Sequence, residues 1–230
     1  MNHQSVLSVS GLNKEAQIAG RAGIMAIAAG GSRAELEKRL ASIDPGQVSA
    51  VVSFGIAGAL DPSLQVGDLI LADLILDGPT RHSCSTGLRG AWARHLQAEG
   101  TIYREMSIAG SDAHLLEPGD KAALRARSGG AAVDMESHVA AAYAARYRLP
   151  FGAIRVISDT AYHVLPQAAG SAMRPDGSVD VLGVLKSLAR DPAQIPGLIV
   201  TARDAAVAFR ALRRVRGLLD LSGSLLGLDL

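Results

Sequence analysis

The sequence predicts a three-layer α/β/α sandwich around a central mixed, mostly parallel sheet. Three observations predict it. Short apolar runs alternate with stretches of helical spacing. The runs are apolar without polar alternation, as suits strands covered on both faces. No repeat, low-complexity linker or composition break divides the chain, so one domain spanning residues 1–230 is the economical reading.

Val6–Ser10 reads as the first strand, ended by Gly11, and Ile24–Ala28 as the second, ended by Gly30-Gly31. Ser32 and Glu35 form a capping-box pattern that opens a helix, and Leu36, Leu40 and Ile43 follow at helical spacing until Pro45-Gly46 stops it. Val48–Phe54 is a third strand, ended by Gly55. Val66–Leu76 holds a longer one, interrupted at Gly67-Asp68. Met106–Ala109, Ala131–Val133 and Phe151–Ser158 are further strands. An Ala-rich helix covers Glu136–Tyr147, and Thr160–Ser178, with two prolines and two glycines, reads as a long lid-like loop. One or two helices fill Pro192–Leu219, and residues 217–230 read as a fraying tail.

Composition removes several function classes. The 23 Lys and Arg against 22 Asp and Glu leave a net charge of +1, which argues against a basic nucleic-acid-binding face. Aromatics at 3% leave few platforms for stacking single-stranded bases. The single Cys84 excludes an intrachain disulfide framework and a cysteine-based zinc cluster, and the scattered histidines suggest no metal site. The N-terminal residues lack a signal peptide's basic and apolar regions, and no apolar run is long enough to span a membrane. A soluble cytoplasmic protein is expected.

Four segments carry candidate chemistry, each at the end of a predicted strand, where ligands of open α/β sheets collect. Gly30, Gly31, Ser32 and Arg33 suit an anion at a helix N-terminus, or simply a tight turn with a capped helix. Ala57 and Gly58, within SFGIAGAL, let backbone line a pocket wall, and the same glycines suit a strand-to-turn connection. Met135 and Glu136, within VDMES, put a carboxylate where it can grip two sugar hydroxyls, while the neighbouring Asp134 reads as a helix cap. Ser158 and Asp159 close an apolar strand beside the lid-like loop. Asp159 there is either a general acid or a turn former.

Taken together, the order SFGIAGAL, GDLILAD, GSDAH, VDMES and RVISD resembles the nucleoside phosphorylase/nucleosidase superfamily, over roughly Val6–Leu188. The later pattern SDTA, PDGSVDVLGVL, DPAQIPGLI and ARDAAVAFRAL is similar to a hopanoid-associated branch. The resemblance implies cleavage of a purine nucleoside's N-glycosidic bond, with adenosylhopane as the branch's substrate. It implies Asp159 as the acid at purine N7, oriented by Ser158, and Glu136 on the ribose hydroxyls with Met135 under the sugar. Ala57, Gly58, His114 and Leu115 then approach ribose and base, and Gly30, Gly31, Ser32 and Arg33 hold phosphate. Hydrolytic relatives place two adjacent glutamates at the start of the first helix, whereas Asn13-Lys14-Glu15-Ala16 has one. That tilts the expectation to phosphorolysis, with inorganic phosphate as co-substrate and no other cofactor. Hydrolysis by a methylthioadenosine-type nucleosidase is the alternative, and a non-catalytic nucleoside-binding protein is a third reading. A homo-oligomer is implied by resemblance. Arg210, Arg213, Arg214 and Arg216, followed by leucines, suit either a C-terminal helix packed on the sheet with its arginines solvated, the favoured reading, or a peripheral membrane contact for a lipid-linked substrate.

Overall fold

The computed structural model describes residues 4–170, 174 and 176–219. The chain runs β1 (Ser5–Ser10), α1 (Asn13–Ala19), β2 (Ile24–Ala28), α2 (Arg33–Ala41), β3 (Val48–Ala59), β4 (Leu69–Asp77) and β5 (Thr80–Ser83). It continues through α3 (Thr86–Ala98), β6 (Arg104–Gly110), α4 (Pro118–Ser128), β7 (Ala132–Asp134), α5 (Ser137–Tyr147) and β8 (Phe151–Asp159). It ends with α6 (Gln167–Gly170), α7 (Val181–Arg190) and α8 (Ile195–Leu218).

The fold is α/β, with a central mixed sheet and helices on both sides. Among the described residues the sheet runs β2-β1-β3-β7-β6-β4-β5, and β8 pairs with both β3 and β4. The pairings β3–β7, β4–β5 and β4–β8 are antiparallel and the others parallel. Because β8 bridges β3 and β4, the strands β3, β7, β6, β4 and β8 form a closed ring. A ring leaves fewer strand edges exposed and gathers several strand ends at one mouth.

One core lies under α2 and α5, where Leu36, Leu40, Val139 and Ala140 meet Leu7, Val51 and Ile157. The other lies under α3 and α8, where Trp92, Leu96, Phe209 and Leu212 meet Val52, Phe54 and Ile154. Each fully buried Val, Leu or Phe among them stabilises the fold by roughly 1.5–3 kcal/mol. The alternation of strand side chains between these two cores explains why the strands read as continuous apolar runs.

Four sequence expectations shift. β3 does not stop at Gly55 but runs through Gly55 and Gly58 to Ala59, because its neighbours β7 and β8 pair with that extension. β4 starts only at Leu69, since Gly67 sits at φ 96° in a turn. The capping box at α2 is half formed: Ser32 Oγ accepts from the Glu35 amide at 3.3 Å, while the Glu35 carboxylate is taken by Arg39 at 3.0 Å. The Thr160–Ser178 segment contains α6.

α8 continues through Leu218, and Leu219 is buried, so the start of the expected tail belongs to the fold. Arg216 is also buried and donates to the carbonyls of Ala19 and Leu219 at 3.0 and 2.7 Å. It therefore ties α8 to α1 rather than presenting charge at the surface. Leu221, Leu225, Leu226 and Leu228 lie outside the described residues. No described helix is long and apolar enough to cross a membrane.

Candidate active site

Strand pairing builds the site. Gly58 of β3 lies opposite Asp159 at the end of β8, after a register shift between Ala57 and Gly58, and opposite Val133 of β7 on its other side. β7 then delivers Asp134, Met135 and Glu136 directly into the start of α5. One cavity opens there. Its wall includes Ala57, Gly58, His114, Leu115, Met135, Glu136, Ser158 and Asp159. Eight of the residues singled out from sequence thus face a single space, with Asp159 and Glu136 on the same cavity.

Asp134 lies behind Glu136 and does two structural jobs. Its Oδ1 accepts from the amides of Glu136 and Ser137 at 3.1 and 2.8 Å, which caps α5. Its Oδ2 accepts from Arg155 Nε at 2.6 Å and from the Ser137 hydroxyl. Arg155, 0% exposed, also donates from Nη2 to Ser53 and Ser137 at 2.6 and 3.1 Å. The guanidinium beside Asp134 holds that carboxyl below its ordinary value in spite of burial. This network fixes the backbone that carries Glu136.

Glu136 is different. Burial first, and the charges of Asp134 and Glu15 after it, push its carboxyl up to about 8, against the opposing pull of Arg155 at 3.8 Å. Near neutral pH it carries a proton, so it can donate one hydrogen bond and accept others, a match for a pair of sugar hydroxyls. The shift has a stability consequence. The folded protein keeps a proton that the unfolded chain releases near 4.5, so Glu136's favourable contribution is complete below that pH. It is lost as pH rises through about 8. Glu136→Gln is expected to reduce the fall in melting temperature between about pH 5 and about pH 9. The slope does not vanish, because Glu15 is shifted in the same direction. An unchanged slope in the variant contradicts the assignment.

Glu15, in the first turn of α1, lines the same cavity. Its Oε2 accepts from the amides of Gly11 and Leu12 at 2.9 and 2.7 Å, and its Oε1 from the amide of Ile56 at 2.7 Å. Burial raises its carboxyl above the ordinary value, although Arg155 and these amides oppose the rise. The result is a rigidly held, unusually basic group with a lone pair left on Oε1. Two glycines make room for the buried carboxyls, Gly55 for Glu15 and Gly11 for Glu136. A side chain at Gly55 would meet Glu15 Oε1 at 2.5 Å and Arg155 Nη1 at 2.6 Å, and one at Gly11 would meet Glu136 Oε1 at 2.6 Å.

Asp159 is held on both oxygens. Ser158 Oγ donates to Oδ1 at 2.8 Å, and the Lys121 ammonium pairs with Oδ2. Lys121, 1% exposed, also donates to the carbonyls of Thr160 and His163 at 2.8 and 3.4 Å. His114 lines the same cavity and feels the charge of Asp159. Desolvation lowers its pKa and the Asp159 charge opposes that, so its ring is a neutral surface near physiological pH. Leu165, Ala169, Gly170, Thr201 and Ala205, from the lid-like segment and α8, complete an apolar side.

Gly30, Gly31, Ser32 and Arg33 are not on that wall. Gly30 and Gly31 adopt φ 59° and 69° in a turn behind Gly11, whose carbonyl accepts from the Gly30 amide at 2.8 Å. Ser32 caps α2. Arg33 is neutralised by Asp112 at 2.8 Å, Asp77 at 3.4 Å and Glu37 at 3.7 Å. Glu15 has the opposite history: counted from sequence as a lone glutamate in a motif that wants two, it faces the cavity. Lys121 carried no sequence signal, since a cation on a core-facing helix position breaks the pattern used to find cores, and Arg155, although it opens the RVISD motif, was assigned no role.

A profile of the phosphorylase superfamily matches residues 6–175. No curated protein matches the chain. Solved structures resemble it in fold. A 5′-methylthioadenosine/S-adenosylhomocysteine nucleosidase of Helicobacter pylori superposes with TM-score 0.65 at 15% identity, covering 94% of this chain and 99% of that one. Futalosine hydrolase of the same organism gives 0.65 and 15%, covering 94% and 98%. A nucleosidase from S. pneumoniae with a transition-state inhibitor gives 0.65 and 15%, covering 94% and 100%. At such identities the likeness shows the fold.

Proposed function

The chain belongs to the phosphorylase superfamily, and from that premise we propose that it cleaves the N-glycosidic bond of a purine nucleoside with water as the attacking group. One observation carries this reading: Asp159, Glu136 and Glu15 present three carboxyl groups to a single cavity. Bond cleavage leaves cationic character on the sugar and negative charge on the base. Asp159 protonates the base at N7. Glu136 holds the sugar hydroxyls, and Glu15 takes a proton from water attacking the anomeric carbon. The Glu15 carboxylate beside the sugar also stabilises its developing positive charge.

Phosphorolysis is less well supported. A phosphate dianion needs cations or several free N–H groups. Among the described residues of the cavity wall Lys121 is the one Lys or Arg, and it is engaged by Asp159. Arg33 is spent on three carboxylates. The ground for the phosphorolytic tilt, a missing second glutamate, loses force once Glu15 itself lines the cavity.

The apolar side of the cavity favours a nucleoside whose 5′ carbon bears an apolar group. Beside Thr201 and Ala205, α8 exposes Ile199 and Val200, and α7 exposes Val181, Leu182 and Leu185. An adenosylated hopanoid and 5′-methylthioadenosine both have that character. The test is release of free adenine from adenosine, methylthioadenosine and adenosylhopane, each with and without phosphate. The expected result is release independent of phosphate and faster for the 5′-apolar substrates. Release that requires phosphate restores phosphorolysis, and no release from any of them refutes the reading.

A further inference from the structure

Lys121 has no part in the chemistry so far, yet it is a buried cation, 1% exposed, paired with the carboxylate of Asp159 on the cavity wall. Its ammonium makes three contacts, to Asp159 Oδ2, Thr160 O and His163 O, so it has no donor left for substrate. It comes from α4, an element far in sequence from β8, and so its place beside Asp159 is set by the tertiary fold. A buried lysine costs several kcal/mol to desolvate, and a structural pair could be replaced by apolar packing at little loss. An acid that begins paired with an ammonium also lacks the proton it must give away.

We infer that Lys121 supplies, through Asp159, the proton that reaches purine N7. The inference rests on the cleavage reading above and deepens it. As the C1′–N9 bond breaks, its electron pair passes into the purine. Asp159 delivers a proton to N7, and the Lys121 ammonium gives its own proton to the carboxylate. Lys121 is left as a neutral amine, able to keep donating to the Thr160 and His163 carbonyls. Water joins C1′ and its proton goes to Glu15. The charge is unchanged across the step, and solvent then returns a proton to Lys121 and removes one from Glu15.

A pair of substrates tests this. A purine nucleoside needs a proton on its leaving group, whereas 4-nitrophenyl β-D-ribofuranoside releases a stable anion that needs none. Lys121→Met is expected to lower kcat on the purine nucleoside by about 10²-fold or more, within the range of general acid catalysis, with KM little changed. The same variant should turn over the nitrophenyl riboside at close to the wild-type rate, which also reports that it is folded. Lys121→Arg keeps the positive charge but holds its proton too tightly to give it up, so it should remain slow on the purine. Equal losses of Lys121→Met on both substrates, or recovery of purine turnover by Lys121→Arg, overturn the relay and leave Lys121 as a fixed positioning charge. Wild-type protein that cleaves neither substrate refutes instead the cleavage reading on which the relay stands.

Discussion

Asp159→Asn is expected to abolish purine release while leaving base binding largely intact. The amide keeps the size of the carboxyl and can still accept from Ser158, whose hydroxyl now lies 2.8 Å from Oδ1. It cannot deliver a proton to N7. Positioned acid catalysis contributes about 10²–10⁴-fold, and the purine anion is a poor leaving group, so the upper part of that range is expected. The loss should fall on kcat, because the missing interaction forms only as the bond breaks. The variant also leaves the buried Lys121 ammonium without its carboxylate, so its melting temperature must be measured alongside its rate. A folded variant with near-normal turnover shows that residue 159 is not the acid.

Glu15→Gln should be comparably damaging for a different reason. Glu15 acts on the nucleophile's side of the sugar, so its removal withholds the base from water and costs about 10²–10⁴-fold in turnover. The two losses separate by substrate. A leaving group that needs no proton relieves Asp159→Asn but leaves Glu15→Gln impaired. Gln also turns a donor amide toward one of three backbone N–H groups that Glu15 now accepts, from Gly11, Leu12 and Ile56. Some loss of stability therefore accompanies the kinetic loss. Turnover equal to wild type in a folded Glu15→Gln protein removes water activation by this residue.

The strands other than β5 were legible because they read as largely apolar runs, whereas Thr80–Ser83 is a polar, mostly exposed edge strand without that signal. Their ends were legible as far as glycine marks them, and misread where pairing overrides a glycine, as in β3 at Gly55. Two helices gave no usable signal. α3 carries Leu88, Trp92 and Leu96 on its buried side, but Gly87 and Gly90 weaken its pattern. In α4 the buried residue is Lys121, so periodicity cannot find the helix, and composition cannot find the residue. The sugar and base contacts at Glu136 and Asp159 were accessible because short local motifs deliver them from strand ends. The Arg155 to Asp134 pair and the Lys121 to Asp159 pair join residues 21 and 38 positions apart, and only the folded ring brings them together.

The source of the oxygen added to the sugar tests the account most directly. The reaction is run in water enriched in heavy oxygen with inorganic phosphate also present, and the sugar product is weighed by mass spectrometry. The account predicts a free pentose product carrying the heavy isotope at its anomeric carbon. A pentose 1-phosphate without the label contradicts it.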